Sequence, residues 1–275
     1  MKKRVTPLLK RYPPLYRLAA NTYWTLSPYH LMELLIGTKA REREWSRRHL
    51  RKGNDWNNIS HVGEVDEWVL SYWDSQSHGH RPLLLKKLSS YSPSSVLEIG
   101  CNCGPNLYLL AKRFPEIEIR GIDINATAIE KGKELFASEG ISNVKLSFGK
   151  ADGLGQFEDK SFDVVFTDAV LIYIGRDKIK QVIQEMLRIA RRALVLVEWH
   201  GFDSQNKKDP NGLGVYYGGC WKRDYTALLK QFVPDEHISI SKIPEDLWPD
   251  ARWREVGAII EVLCGQDKYQ GAGGG

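Results

Sequence analysis

The ten residues Ser95–Gly104 constrain the fold of this chain more than any other stretch. Their apolar run, Val96–Ile99, is short, as in a buried strand, and a tight loop bounded by Gly100 and Gly104 follows it. Apolar residues at helical spacing then continue from Leu107. A strand, a glycine-containing loop and a helix in this order bring the backbone close to a nucleotide or a nucleoside. The stretch therefore predicts a ligand site at the end of its strand.

Two acidic residues indicate which groups of a ligand this site could bind. Glu98 lies inside the apolar run, where an acid is costly without a partner, so we expect it to bind the polar end of a ligand. Asp123 ends a second predicted strand about twenty residues later, where a carboxylate can accept hydrogen bonds from ribose hydroxyls. A dinucleotide fingerprint requires the pattern GxGxxG, but residues 100–104 read GCNCG. This stretch is therefore not a dinucleotide fingerprint.

The loop resembles the first motif of the class I S-adenosylmethionine (SAM)-dependent methyltransferases, acid-x-Gly-x-Gly-x-Gly. Asn102 replaces the middle glycine. Asparagine tolerates left-handed backbone better than most residues, so we predict that Asn102 holds such a conformation beside the cofactor. The resemblance covers residues 95 to 200 and is close in the segments VLEIGC, GIDIN and SFDVVFTDAVL.

The pattern of strands and helices agrees with this family. Predicted strands lie at 95–99, 117–122, 144–148, 162–166, 194–197, 237–243 and 258–263, and the main helices between them at 105–113, 126–138, 177–192 and 224–232. Strands that alternate with helices predict an α/β fold with a parallel sheet. The resemblance implies a Rossmann-like, doubly wound, seven-stranded and mainly parallel sheet with an antiparallel final strand, plus an N-terminal helical extension.

We predict four parts of the chain. Residues 1–52 form a basic amphipathic helical arm, 53–92 a helical connector or cap, 93–265 the methyltransferase domain and 266–275 a disordered Gly-rich tail. The arm contains thirteen Lys and Arg against three Glu, so the remainder of the chain has a net charge of −5. The arm could be a cap packed on the domain, or it could contact an anionic membrane surface. Basic arms also bind phosphates, but nucleic acid is not the expected partner.

The family resemblance implies a set of cofactor-binding residues at the carboxyl ends of the strands. They are Glu98, Gly100, Cys101, Asn102, Gly104, Asp123, Ile124, Ala151, Asp152 and Asp168. Asp123 would accept the ribose hydroxyls, Ile124 would lie against the adenine and Asp152 would accept its exocyclic amine. Asp168 would face the amino-acid end of the cofactor. The alternative for each acid is a helix cap or a turn residue.

Catalytic and substrate-binding candidates lie near the same edge. An oxygen nucleophile of high pKa needs a base, and His200, just after the fifth predicted strand, is the candidate, with Glu198 to orient it. The alternative for His200 is an ordinary histidine at a strand end. The substrate candidates are Tyr173, His80, Arg81 and Tyr217, the last in a polar segment at 201–223 that could be a substrate lid.

No metal site is predicted. Cys101 and Cys103, or His78 and His80, make single pairs, and one pair of ligands is not a site. The four cysteines show no disulfide framework, which favours the reducing cytoplasm, with membrane association through the arm as a further expectation. No stretch is apolar enough to span a bilayer, and no secretory signal is recognisable.

The predicted function is SAM-dependent methyl transfer to a small-molecule or glycan acceptor, by O-methylation, with a lipid-linked saccharide as one form of that acceptor. Two alternatives stay open at this point. One is a SAM-binding regulatory protein without turnover, and the other is a methyltransferase of RNA or protein.

Overall fold

The computed structural model describes residues 26–50, 65–202, 209–248 and 250–265, together with Thr22. Within these residues the chain forms nine strands, namely β1 (Ser95–Ile99), β2 (Glu118–Asp123), β3 (Val144–Phe148), β4 (Phe162–Asp168), β5 (Ala190–Trp199), β6 (Val215–Tyr217), β7 (Cys220–Lys222), β8 (Ile238–Lys242) and β9 (Gly257–Leu263). Seven of them form one sheet in the order β3-β2-β1-β4-β5-β9-β8. Strands β1 to β5 are parallel, whereas β9 runs antiparallel to β5 and β8. The predicted fold class, including the antiparallel final strand, is confirmed.

Helices surround this sheet. The described α-helices are α1 (Pro28–Ile36), α2 (Lys39–Trp45), α3 (Val65–Trp73), α4 (His80–Ser89), α5 (Pro105–Arg113), α6 (Ala126–Ser138), α7 (Ile179–Ile189), α8 (Tyr225–Leu229) and α9 (Ala251–Val256). Asn125 caps α6, as its sequence position predicts, because its side chain accepts a hydrogen bond from the Ala128 amide at 3.1 Å.

Each face of the sheet has its own apolar layer, because neighbouring residues of a strand point to opposite faces. Val96 and Val164 belong to the layer that includes residues of α5 and α6, and Leu97 and Val165 to the layer that includes residues of α7 and α8. Strand β4 is buried along its whole length, which explains its nearly continuous apolar sequence.

Most element boundaries differ by a few residues from the sequence predictions, and three differences bear on the site. The helix predicted at 177–192 ends at Ile189, because the chain from Ala190 onward pairs with β4. Strand β4 continues to Asp168 and thereby fixes that carboxylate at the edge of the sheet. The segment predicted as a lid, 201–223, contains the β6–β7 hairpin instead. The predicted disordered tail and much of the arm and connector lie outside the described residues.

Helices α1 and α2 are fastened to the domain. The Thr38 hydroxyl, between the two helices, donates to Asp177 at 2.7 Å and accepts from the Gly175 amide at 2.8 Å. The buried guanidinium of Arg41 on α2 donates to Glu33 of α1 at 3.1 Å and to the Gly219 carbonyl at 2.7 Å. These contacts hold α2 beside the segments that follow β4 and β6.

Candidate active site

A cavity lies at the carboxyl ends of β1, β2 and β4. Eight of the predicted site residues line it: Gly100, Asn102, Asp123, Ile124, Ala151, Asp152, Asp168 and Tyr173. Sequence reasoning missed the part of the wall that comes from Thr38 between α1 and α2, from α2 (Arg41, Glu42 and Trp45), from α3 (Trp68 and Tyr72) and from Lys178. The described residues therefore form a cavity between the sheet edge and a roof built by the N-terminal helices.

The loop after β1 adopts the backbone that its sequence predicts. Asn102 has a φ of 54°, the left-handed region, and its amide donates to Asp123 at 2.8 Å. Its side chain accepts from the Cys103 amide at 2.7 Å, which stabilises the turn locally. Gly100 has a φ of 77°, and a Cβ there would lie 2.3 Å from the Val170 side chain. The loop can therefore turn under the cavity only with a glycine at this position.

Asp123 is held by the backbone at the floor of the cavity. One carboxylate oxygen accepts from the Asn102 amide, and the other from the Asn125 amide at 2.7 Å. Burial raises the pKa of Asp123 to about 6, against the lowering effect of these amides. Each carboxylate oxygen has more than one acceptor site, so Asp123 can still accept from a ligand hydroxyl.

A buried polar network stands at the end of β1 and β4. Asn106, on α5, donates to Glu98 at 2.7 Å and to Asp168 at 3.0 Å. His80 contacts the same Asp168 oxygen at 2.8 Å, and the Arg81 guanidinium lies 3.5 Å from it. His80 and Arg81, predicted as substrate contacts, are absent from the described cavity wall and instead hold Asp168 in place.

Two acceptors of this network have no donor among the described residues. They are Oε2 of Glu98 and Oδ1 of Asp168, both fully buried. Burial raises the pKa of Glu98 to about 8. Burial alone would also raise the pKa of Asp168, but His80 and Arg81 beside it lower that pKa well below its usual range. A buried acceptor without a donor costs free energy. The carboxyl groups of Glu98 and Asp168 therefore favour the binding of a cationic or hydrogen-bond-donating group.

Asp152 faces a cation. Its carboxylate forms an ion pair with Lys178, whose ammonium also lies 2.6 Å from Glu42 on α2. Lys150 contacts the other Glu42 oxygen at 2.9 Å. This cluster joins the roof to the loop after β3, and the predicted contact between Asp152 and an adenine amine stays a prediction.

Aromatic rings from α2, α3 and the segment after β4 form another part of the wall. The ring centroids of Trp45 and Tyr173 are 4.7 Å apart, those of Trp45 and Trp68 are 6.5 Å apart, and those of Trp68 and Tyr72 are 6.3 Å apart. Burial raises the pKa of Tyr72 and of Tyr173 well above the usual range, so both phenols stay neutral. Tyr173, predicted to line the substrate pocket, does lie in this wall.

Glu198, which was predicted to orient His200, is hydrogen-bonded to the end of β4 and to the segment that follows it. Its oxygens accept from the Thr167 hydroxyl at 2.8 Å and from three consecutive backbone amides, those of 170, 171 and 172, at 2.9 to 3.1 Å. The carboxylate therefore fixes the segment between β4 and Tyr173 and is absent from the cavity wall. Both carboxylate oxygens of Glu198 therefore accept hydrogen bonds from the protein itself.

His200 and Tyr217 are also absent from this wall. The backbone amide of His200 binds the Val256 carbonyl at 2.7 Å, and its ring Nδ1 accepts from the Tyr225 amide at 3.3 Å, which turns the ring toward α8. The Tyr217 hydroxyl donates to Glu255 at 2.8 Å. Cys101 and Gly104 lie in the loop without lining the cavity, and Glu98 is also absent from its wall, being joined to the wall residue Asp168 through Asn106. The geometry therefore gives no support to His200 as the general base.

Little in the sequence indicates that the site residues missed by the sequence analysis belong to a functional site. Asn106 is a polar residue in the first turn of a predicted helix, which is an ordinary place for one. Trp45 and Arg41 lie in a highly charged stretch, and the sequence pattern there does not indicate which side of the helix is buried. Only the tertiary packing of α2 shows that these residues face a cavity.

Comparisons with known proteins agree with this architecture. Residues 96–193 match a family described as "Methyltransferase domain". The trans-aconitate 2-methyltransferase of Pseudomonas paraeruginosa is 27% identical over 114 residues, which cover 38% of this chain and 39% of that protein. The ribosomal RNA small subunit methyltransferase C of Buchnera aphidicola is 36% identical over 103 residues, covering 34% and 31%. The chain spans about half, or less, of the length of the curated relatives it matches.

Among solved structures, the geranyl diphosphate C-methyltransferase of Streptomyces coelicolor aligns with a TM-score of 0.54 and 14% identity, covering 86% of this chain and 98% of that one. That protein was solved with Mg²⁺, geranyl diphosphate and S-adenosyl-L-homocysteine. At this identity the likeness is one of fold.

Proposed function

We propose that this chain, whose residues 96–193 match a methyltransferase domain, is a class I SAM-dependent methyltransferase that transfers a methyl group from SAM to an oxygen atom of a small-molecule acceptor. One observation supports this proposal most. The same cavity joins Asp168, whose Oδ1 has no donor among the described residues, to an aromatic wall under the α2 roof, and Asn106 bridges Asp168 to the equally unsatisfied Glu98 just outside the wall. The first end suits the cofactor, and the second suits an acceptor.

The residues at the sheet edge fit SAM. The ammonium of its methionyl end would supply the donors that Glu98 Oε2 and Asp168 Oδ1 lack. Asp123 has acceptor capacity for the ribose hydroxyls, and Ile124 lies next to it in the wall, where an adenine ring needs apolar contact. When bound, SAM supplies an electrophilic methyl group on its sulfonium.

The wall favours a small acceptor with at least one apolar face. Trp45, Trp68, Tyr72 and Tyr173 present rings that suit an aromatic ring or the carbon face of a sugar. Thr38 and Arg41 of the roof line the same cavity, an arrangement that suits a small acceptor better than a folded RNA or protein. A glycan acceptor, including a lipid-linked saccharide, is compatible with the same wall and stays part of the proposal.

The protein would contribute alignment rather than a strong base. Among the described residues, no histidine lines the cavity, and the two tyrosines of the wall stay neutral. Holding the nucleophile in line with the methyl group supplies most of what such a transfer needs. An oxygen that is already ionised, such as a carboxylate, needs no base at all, so an acidic hydroxyl or a carboxylate is the favoured acceptor group.

The experiment uses the purified chain with SAM carrying a radiolabelled methyl group. Cell extract is separated into small-molecule, lipid, RNA and protein fractions, and each fraction is offered as acceptor. We expect enzyme-dependent label in the small-molecule or lipid fraction, and much less label with Asp123→Asn. Label confined to RNA or protein would overturn the proposed acceptor class.

A parallel calorimetric titration with S-adenosylhomocysteine separates binding from turnover. Tight binding without transfer to any fraction would identify a binding protein that lacks turnover. Absence of binding would reject the cofactor assignment itself. The Glu261→Gln variant is the matched control, because this acid contacts Lys87 and Tyr91 and not the cavity.

A further inference from the structure

Helix α1 presents its apolar side to solvent and its polar side to the protein. His30 and Glu33 are buried, with His30 stacked on Tyr216 at 3.8 Å and Glu33 paired with Arg41. Leu34 and Leu35, in contrast, are 67% and 77% exposed. An ordinary surface helix has the opposite arrangement, and an exposed apolar patch of this kind marks an interaction site.

The exposed face is continuous. Leu31, Leu34 and Leu35 stand at helical spacing i, i+3 and i+4, and Met32 and the preceding Leu26 are also exposed. The buried polar face explains why the helix cannot simply turn over, because Glu33 accepts from Arg41 and from Trp221 at 3.4 Å. The polar contacts therefore hold the leucines outward.

The next helix, which begins three residues after α1 ends, has a basic side. Lys39, Arg43 and Arg47 lie four residues apart along α2 and just after its end, and all three are exposed. None of the three has an ion pair in the described part of the chain. In sequence, residues 1–25 add six Lys or Arg and no acid. Apolar side chains bordered by Lys and Arg are the pattern that places a helix in the interface of an anionic bilayer.

We propose that the exposed face of α1, together with the basic side of α2, docks on the surface of an anionic lipid bilayer. Contact is peripheral, since α1 has only nine residues and no described helix is long and apolar enough to cross a membrane. A second copy of the chain is the less suitable occupant, because a symmetric contact through α1 would bring the Lys39 and Arg43 sides of both copies together.

The test is co-sedimentation of the full-length chain with sucrose-loaded vesicles of phosphatidylcholine alone, or of phosphatidylcholine with 30% phosphatidylglycerol. We expect pelleting with the anionic vesicles, weak pelleting with the neutral ones, and loss of binding as salt rises. The double variant Leu34→Ser with Leu35→Ser should lower the partition coefficient roughly 10- to 100-fold. Leu263→Ser, whose leucine is 44% exposed at the opposite end of the sheet, is the matched control and should bind like the wild type.

Three outcomes would overturn the proposal. The wild type could fail to pellet with either vesicle type. The double variant could pellet as well as the wild type, which would assign binding to charge alone. Sedimentation equilibrium could show a wild-type dimer that the double variant converts to a monomer, which would assign the face to a second copy. Vesicle binding needs no turnover, so failure here and failure of methyl transfer are distinguishable, and unchanged S-adenosylhomocysteine affinity of the double variant shows that it is folded.

Discussion

Cofactor affinity should depend on pH through Glu98. Its pKa is raised to about 8 by burial, and the neighbouring Asp168 adds to the rise. A cationic amino group prefers the ionised carboxylate, so binding requires Glu98 to lose its proton. At pH 7 a carboxyl of pKa about 8 is ionised in about a tenth of the molecules, and the apparent affinity is reduced by that fraction.

The amino group of the ligand titrates in the opposite direction. The ligand is a free amino acid, and its own carboxylate keeps the neighbouring ammonium protonated to a higher pH than at a peptide N-terminus. From pH 6.5 to 8 the amine therefore stays cationic, and the affinity should rise about 16-fold as Glu98 ionises. The affinity falls again at higher pH, where the amine becomes neutral.

Isothermal titration calorimetry with S-adenosylhomocysteine, which has the same amino group, measures this profile. Titration in buffers of different ionisation enthalpy should show a net release of about 0.9 proton per ligand at pH 7. The variant Glu98→Gln should lose the acidic limb, so that its affinity is nearly constant from pH 6.5 to 8 instead of rising. Loss of the charge-assisted hydrogen bond should weaken its binding at pH 8 by roughly 10- to 100-fold.

The same titration predicts a stability effect. The pKa of Glu98 is higher in the folded chain than its ordinary value of 4.5, so the folded state keeps a proton that the unfolded state has lost. The contribution of Glu98 to the free energy of unfolding is greatest below pH 4.5. Above that pH the contribution falls by about 1.4 kcal/mol per pH unit until the pH passes about 8. Glu98→Gln should therefore reduce the loss of stability between pH 6 and 8, measured by urea unfolding.

A wild-type affinity that varies less than about threefold between pH 6.5 and 8, or a Glu98→Gln affinity profile identical to that of the wild type, would refute this reasoning.

Three other substitutions test the placement of single residues. Glu198→Gln should lower the free energy of unfolding by about 2–4 kcal/mol in urea titrations, because the carboxylate accepts four hydrogen bonds, and a variant that loses only kcat would contradict that role. His200→Phe should keep kcat/KM within about threefold in the radiolabel assay, whereas a fall of about 100-fold or more would restore the general-base hypothesis. Asp152→Asn should narrow the affinity gap between S-adenosylhomocysteine and its inosine analogue, which lacks the amine; an unchanged gap would separate Asp152 from the adenine.

The fold was predictable because its signals are local. Apolar runs such as Val96–Ile99 and Phe162–Phe166 have no alternative but burial, and the glycines of the first loop require positive φ. The position of the cavity followed from a geometric rule, since the carboxyl ends of parallel strands share one edge. The conformation of Asn102 was also predictable from local sequence, because its own side chain stabilises its backbone turn.

The roles of the acids were harder to predict, because a role depends on donors that arrive from distant parts of the chain. Glu98 and Glu198 both occupy buried strand positions and look alike in sequence. Glu198 receives four donors from one neighbouring segment and has a structural role, whereas Glu98 is left with an unsatisfied oxygen. His80 likewise was predicted beside the ligand, but its ring contacts Asp168, a residue 88 positions away.

The roof connects the two proposals. Only Gly37 and Thr38 separate the exposed face of α1 from the part of α2 that lines the cavity, and Thr38 is fastened to Asp177 and Gly175. A bilayer that holds α1 would therefore also position the roof over the cavity. An amphiphilic acceptor could then leave the bilayer beside Arg41 and Trp45 and reach the aromatic wall without crossing bulk water. Such a route would give a function to the arrangement in which Glu33 pairs with Arg41 and His30 stacks on Tyr216, so that the leucines of α1 face outward at a cost in solubility.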